Sequence, residues 1–122
     1  MKKILCIVIA VLVVAGAVWA IGHSRTPGGV TFKTAYQAVL LTNGSVYYGK
    51  LEGLGGPFPV LRDVFYVQAS ADANTKQTTS VLIRRGKEWH GPAYMVLNAN
   101  HILMVEPVTP GSRVATLIAE AQ

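Results

Sequence analysis

A run of 19 residues without a charged side chain, Ile4 to Gly22, follows directly after Lys2 and Lys3 at the start of the chain. As a helix with a rise of about 1.5 Å per residue it would be roughly 28 Å long, close to the hydrocarbon thickness of a bilayer. We therefore expect a transmembrane anchor over residues 1–22. The side chains expected to contact lipid include Ile4, Leu5, Val11, Leu12 and Trp19.

A cleaved secretory signal is the alternative interpretation of this segment. Val18 and Ala20 are small enough for the −3 and −1 positions of a cleavage site. The run is longer than the roughly 7–15 residues of a signal core, and Trp19 stands where an interfacial aromatic residue ends a spanning helix. These two features favour an uncleaved anchor. Both interpretations place Lys2 and Lys3 in the cytoplasm, so we expect a single-pass protein of the cell membrane with an extracytoplasmic C-terminal domain.

Residues 23–29 are predicted to form a short linker, because Pro27, Gly28 and Gly29 cannot continue a helix. Residues 30–122 are then one small domain with room for a single core. The chain has 11 basic and 6 acidic side chains, and two of the lysines belong to the anchor. The remaining excess of basic over acidic side chains is small. It suits contact with anionic headgroups or with an acidic partner, and it is not the strong positive charge typical of nucleic-acid binding. Cys6 is the only cysteine, so no internal disulfide is possible.

Alternating apolar residues and turn residues predict strands over 36–41, 46–54, 58–68, 78–85, 95–97 and 102–105. Asn43 and Gly44 predict a tight hairpin turn, and Gly49 a bulge or bend. Ser112 is a candidate N-cap for an amphipathic helix over 113–121. The predicted fold class is mainly β: an N-terminal transmembrane helix, a small five-stranded bent barrel and a C-terminal helix.

Two segments resemble the motifs of Sm-like small β-barrels. Residues 38–68 (AVLLTNGSVYYGKLEGLGGPFPVLRDVFYVQ) are similar to the first Sm motif, with an apolar strand, a polar-glycine turn, an aromatic-x-Gly-x-Leu strand and an apolar strand that carries an Asp. Residues 95–105 (MVLNANHILMV) are similar to the second motif, in which a tight turn joins two apolar triplets. The whole chain also resembles a type of small bacterial single-span membrane protein, a likeness that implies no activity. The resemblance to Sm-like proteins implies a barrel that can assemble into a ring.

The RNA pocket of Sm proteins does not carry over. It uses a polar cluster after the second strand and an Arg-Gly in the second motif, where this chain has residues 55–58 (GGPF) and Asn98-Ala99. Sm-like barrels also begin with a helix, whereas here the helix is predicted at the end. We therefore expect no nucleic-acid partner.

No pattern of catalytic residues stands out. His23, His90 and His101 are the only imidazoles, and none stands at metal-ligand spacing from another histidine or from Cys6. There is no nucleophile motif, carboxylate pair or phosphate-binding glycine loop. The sequence predicts a protein that is not an enzyme and that has no cofactor or metal site.

The string Lys87 to Pro92 (KEWHGP) is the most unusual one in the domain. It predicts either a recognition loop with Trp89 as the anchor and His90 beside it, or a barrel corner that Trp89 plugs. Arg84, Arg85 and Lys87 concentrate basic charge at a strand end, which suits either contact with anionic headgroups or simple solvation.

These features predict a membrane-anchored structural or interaction protein, an accessory subunit that docks on a larger membrane protein complex of the envelope. This hypothesis depends on the short linker and on the absence of catalytic, metal-binding and cofactor-binding motifs from the sequence. Two alternatives stay open: a self-assembling ring of Sm-like barrels, and a secreted ligand-binding module released by signal cleavage.

Overall fold

The computed structural model describes residues 30–122. The predicted anchor over 1–22, with its possible cleavage site, and the linker over 23–29 lie outside the described residues. Within residues 30–122 no helix has the length and apolar character needed to cross a membrane.

Six strands, one short 3-10 helix and one α-helix follow each other along the described chain. The strands are β1 (Gln37–Leu41), β2 (Val46–Glu52), β3 (Val60–Ala71), β4 (Thr78–Arg84), β5 (Tyr94–Val96) and β6 (Ile102–Pro107). The 3-10 helix covers Ala99–His101, between β5 and β6, and α1 covers Arg113–Glu120.

The strands form one antiparallel sheet in the order β4-β3-β2-β1-β6, with β5 also paired to β3. One edge of the long strand β3 pairs with two strands in succession. Val60 to Arg62 pair with β5, and Phe65 to Ala71 pair with β4. As predicted, the fold is mainly β with a C-terminal helix. All six predicted strand segments form, but the predicted five-stranded bent barrel is wrong: within residues 30–122 the six strands make one open sheet, because β4 pairs only with β3 and β6 only with β1.

The main core cluster lies on one face of the sheet, as the two-residue period of a strand requires, and Phe65, which is also fully buried, lies on the other face beside Tyr48. The centre of the main cluster consists of Val39, Leu61, Val64 and Leu97. Gln37 is buried beside this core and is satisfied at both ends of its amide. Its Oε1 accepts from the backbone N–H of Leu51 at 2.9 Å, and its Nε2 donates to the carbonyl of Thr34 at 2.7 Å.

Two turns explain the local course of the first hairpin. The predicted Asn-Gly turn is present, as a four-residue connection over 42–45 in which only Gly44 has a positive φ, of 87°. The side chain of Asn43 accepts from the N–H of Ser45 at 2.9 Å. The predicted bulge at Gly49 is also present, as a register shift between Tyr48 and Lys50 in the β2–β3 pair.

The C-terminal helix is capped as predicted. The Oγ of Ser112 accepts from the N–H of Ala115 at 3.2 Å, which satisfies one of the free donors of the first turn. Ile118 is the buried residue of the helix. The last residues return to the start of the domain, where Gln122 donates from Nε2 to the hydroxyl of Tyr36 at 2.8 Å.

Candidate functional site

Trp89 stands at the apex of the loop between β4 and β5 with its side chain entirely exposed, at 107% relative accessibility. The interpretation of Trp89 as a corner plug is therefore wrong. The core is closed by Val39, Leu61, Val64 and Leu97, none of which comes from this loop. An exposed indole on an ordered loop leaves the recognition interpretation as the prediction for this segment.

The loop that carries Trp89 is held by Glu88. One carboxylate oxygen of Glu88 accepts from the N–H of Gly86 at 2.8 Å, and its carbonyl accepts from the N–H of Gly91 at 2.7 Å. The hydrogen bond from Gly86 is the main cause that lowers the pKa of Glu88 below its ordinary value, and the positive charges of Arg85 and His90 add to it. Because the ionised carboxylate holds the turn, Trp89 is displayed on a preorganised backbone.

Arg85 has a structural role at the base of the loop. Its Nε lies 3.5 Å from Oε1 of Glu88, an ion pair without hydrogen-bond geometry, and its guanidinium is 5.7 Å from the ring centroid of Tyr47. The backbone N–H of Arg85 donates to the carbonyl of Val64 at 2.8 Å. Of the predicted interaction residues, Arg85 is thus partly buried in contacts within the domain. The exposed ones are Arg84, Lys87, Trp89 and His90.

Asp63 holds two cations together at the bulge of β3. Its carboxylate oxygens lie 3.2 Å from Nζ of Lys50 and 3.5 Å from a terminal nitrogen of Arg84. Asp63 itself has a φ of 49°, in the left-handed region that non-glycine residues rarely adopt. The position opposite Gly49 thus brings two basic side chains to one carboxylate, which leaves one positive charge uncompensated.

The same corner contains the point where the described chain enters the sheet. The ring of Tyr36 lies 5.5 Å from Nζ of Lys50 and 6.3 Å from the ring of Phe65. The guanidinium of Arg84 lies 5.8 Å from that same Phe65 ring. Tyr36, Lys50, Asp63 and Arg84 are therefore neighbours, although 48 positions separate the first from the last in the chain.

A cleft of about 250 Å³ opens beside this corner, between the end of β4 and β5. Asp63, Arg84, Arg85, Pro92 and Tyr94 are among its lining residues. Ligand pockets for small molecules usually measure about 300–1,000 Å³. The cleft is smaller than these and is lined by side chains already engaged in ion pairs.

A larger groove, of about 420 Å³, lies on the opposite face of the sheet from the core. We call it the outer groove. Two rows of side chains that run across β2, β1 and β6 form it. The first row is Val46, Leu40 and Met104, and the second is Tyr48, Ala38 and Glu106. Val108, Ser112 and Val114 close the groove at one end. Met104 is 45% exposed, and among the lining residues within 30–122 Glu106 is the only charged one.

Sequence reasoning missed the outer groove and the pairing of Asp63 with Lys50 and Arg84. A signal for the groove was present. The β1 segment Ala38 to Leu41 is continuously apolar, a pattern that indicates a strand covered on both faces rather than on one. The ion pairs had no local signal, because Lys50 and Arg84 come from different strands and meet at Asp63 only through the strand pairing.

The histidines take no part in a chemical constellation within the described chain. The Nδ1 of His101 lies 3.4 Å from Oγ1 of Thr42, a contact that ties the 3-10 helix to the first hairpin. In residues 30–122 no group of three or more histidine, cysteine or acidic side chains is placed to hold a metal ion. Comparison with protein-family models and with curated proteins finds no match for this chain.

Proposed function

We propose that this chain is a membrane-anchored interaction protein, an accessory subunit whose β domain docks on a larger membrane protein complex of the bacterial envelope. The uncharged run over residues 4–22 supports the anchor, and the short linker over 23–29 supports a domain that works close to the membrane. The observation that carries the docking part of the proposal is the outer groove.

The outer groove is apolar where an antiparallel sheet with one solvated face would be polar. The outward positions of such a sheet usually alternate with the core positions as polar residues. Here the outward side chains of β1 are Ala38 and Leu40, and their cross-strand neighbours include Val46, Tyr48 and Met104. A contiguous apolar surface of this kind marks an interaction site in a soluble domain.

The chemistry of the groove defines its partner. A segment of another membrane protein with apolar side chains along its length would fill the two rows. A basic residue on that segment would pair with Glu106, the charged residue of the lining. Catalysis, a cofactor and a nucleic acid are not part of the proposal.

The test is extraction of the full chain in mild detergent, with its intact mass and the mass of the native species read from one sample. A photo-crosslinking residue at Met104 is compared with the same residue at Val81, which has similar exposure, at 51%, on β4. The expected result is a full-length chain in a larger hetero-complex and a crosslink from position 104 only. Leu40→Lys should then abolish co-extraction without a change in the far-ultraviolet circular dichroism.

Two results would refute the proposal. A chain shortened by about 20 residues and found alone in the soluble fraction would support the secreted module. Equal crosslinking from positions 104 and 81 would show that the groove does not select a partner.

Self-assembly into a ring is the second candidate, because β4 and β6 are both edges of the sheet. Edge strands pair readily with another chain, and β6 carries Leu103 with 62% exposure. A homo-oligomer of the full chain, free of other proteins, would favour this candidate over docking.

A further inference from the structure

We propose that the corner at which the described chain enters the sheet is a membrane-contacting face that binds anionic phospholipid headgroups. We call it the entry face and define it by Tyr36, Lys50, Asp63 and Arg84, together with the following loop residues Lys87 and Trp89. Lys50, Arg84 and Lys87 would bind headgroup phosphates, and Trp89 would lie at the level of the headgroups. This inference rests on the N-terminal anchor of the proposed function.

Charge is the first argument. Residues 30–122 contain eight basic and six acidic side chains, a net charge of +2. The entry face holds three basic residues, Lys50, Arg84 and Lys87, and one acid, Asp63, which also gives +2. The other ten charged side chains of the domain, five of each sign, cancel in number, so the residues that define the entry face account for the net charge of +2. Basic residues near an anionic membrane are attracted to it individually, and their contributions accumulate.

Position is the second argument. Tyr36 is the residue just before β1, and its ring lies 5.5 Å from Nζ of Lys50. Thirteen residues lie between Gly22, the end of the uncharged run, and Tyr36, and the fourteen steps from one to the other reach at most about 50 Å when fully extended. Because the chain enters the sheet beside Tyr36, this corner is the part of the domain to which the tether is attached, at most about 50 Å from the end of the anchor. A short tether gives an effective concentration in the millimolar range, so a weak headgroup affinity is sufficient.

Trp89 is the third argument. The indole of Trp89 is entirely exposed, so its apolar surface lies in water and makes no stabilising contact. Tryptophan is a side chain enriched at the level of the lipid headgroups. Lys87 lies two residues before it on the same loop, so the indole and a cation are presented together. Glu88 is turned back to the N–H of Gly86 at 2.8 Å, which removes the acid of the loop from the presented surface.

The experiment uses the two tryptophans of the chain. Trp19→Phe leaves Trp89 as the only indole, and the full chain is reconstituted into vesicles of phosphatidylcholine alone or with phosphatidylglycerol. Brominated lipids quench indole fluorescence on contact. The expected result is a blue-shifted, quenched Trp89 in the anionic vesicles, weakened by added salt and much weaker in the neutral vesicles.

A matched pair of charge variants tests the cations. Lys87→Gln should lower the ratio of contacting to free Trp89 about fivefold, the usual effect of one basic residue at an anionic surface. Lys76→Gln removes the same charge from the remote turn between β3 and β4 and should leave that ratio unchanged. Circular dichroism of both variants checks that the fold is kept.

The outcomes separate this inference from the proposed function. A chain that floats with the vesicles while Trp89 stays unquenched in anionic lipid overturns the entry face and leaves the anchor and the docking proposal standing. Equal quenching in neutral and anionic vesicles, or equal effects of Lys87→Gln and Lys76→Gln, overturns the headgroup assignment. Shielding of Trp89 only when another protein is co-extracted overturns it in favour of a protein partner. A chain that does not float with the vesicles has no membrane anchor, and that result overturns both this inference and the proposed function.

Discussion

Gly49→Ala is expected to destabilise the domain because the added methyl group has no space opposite the bulge of β3. Its Cβ would lie 2.7 Å from the carbonyl oxygen of Arg62 and 2.8 Å from Cγ of Leu61. The first of these atoms belongs to the backbone of β3, and the second to a fully buried side chain of the core. Neither can move without a shift of the β2–β3 pair or of the core packing.

The magnitude follows from two opposing terms. Overpacking of a well-packed site costs about 1–3 kcal/mol, and contact with backbone places Gly49→Ala near the upper value. The lower conformational entropy of alanine in the unfolded chain offsets about 0.4–1 kcal/mol. The net loss is about 2 kcal/mol in the free energy of unfolding. For a domain of this size it corresponds to a fall in Tm of about 8–16 °C.

Thermal unfolding of the full chain in detergent, followed by circular dichroism, measures the effect. Gly44 supplies the matched control, since its Cβ would meet nothing within 4 Å but its φ is 87°. Gly44→Ala should cost about 1 kcal/mol from backbone strain alone, and Gly44→Asn less, because asparagine tolerates this conformation. Gly49→Asn should be no better than Gly49→Ala. A Tm for Gly49→Ala within 2 °C of the unsubstituted protein would show that the bulge relaxes and that the steric argument is wrong.

Three further predictions concern the core, the helix cap and the loop. Leu61→Ala should lower the free energy of unfolding by about 2–5 kcal/mol in denaturant titrations, since Leu61 is fully buried at the centre of the core; a loss below 1 kcal/mol would contradict that packing. Ser112→Ala should cost about 1 kcal/mol and speed amide hydrogen exchange in the first turn of α1, whereas Ser112→Asp should retain most of the protection. The lowered pKa of Glu88 means that its contribution to stability is present above the ordinary pKa of a glutamate and is lost as the pH falls through the lowered value. The protection of the Gly86 amide, taken as its exchange rate relative to that of an unstructured peptide at the same pH, should therefore fall on acidification, and Glu88→Gln should remove that pH dependence; an unchanged dependence in the variant would refute the role of the carboxylate.

Local sequence signals predicted the elements of this domain well. The turn at Gly44, the bulge at Gly49 and the cap at Ser112 all depend on residues within a few positions of each other, and their physical causes act in any tertiary context. The strand segments followed from alternation in the same way. That these strands form an open sheet and not a barrel did not follow, because it depends on which strands pair, and β5 for example pairs with β3 across more than 30 positions of the chain.

The candidate site shows the opposite relation. Trp89 could be singled out by composition, yet its exposure depends on which residues fill the core, and that is a property of the assembled sheet. The outer groove required knowledge of which face of β1 meets α1 and β6. The exposure of Trp89 could not be read from a local pattern, and the apolar run of β1 indicates a strand covered on both faces without showing what covers it.

Side-chain hydropathy and backbone preference over a few residues were enough to derive the uncharged N-terminal run, the mainly β class and the local turns. That Tyr36, Lys50, Asp63 and Arg84 meet at one corner, with one positive charge in excess, follows only from the strand pairing. The physical reason is that strand register acts over long range. It sets which side chains share a face, and a shift of one residue would move each of them to the opposite side.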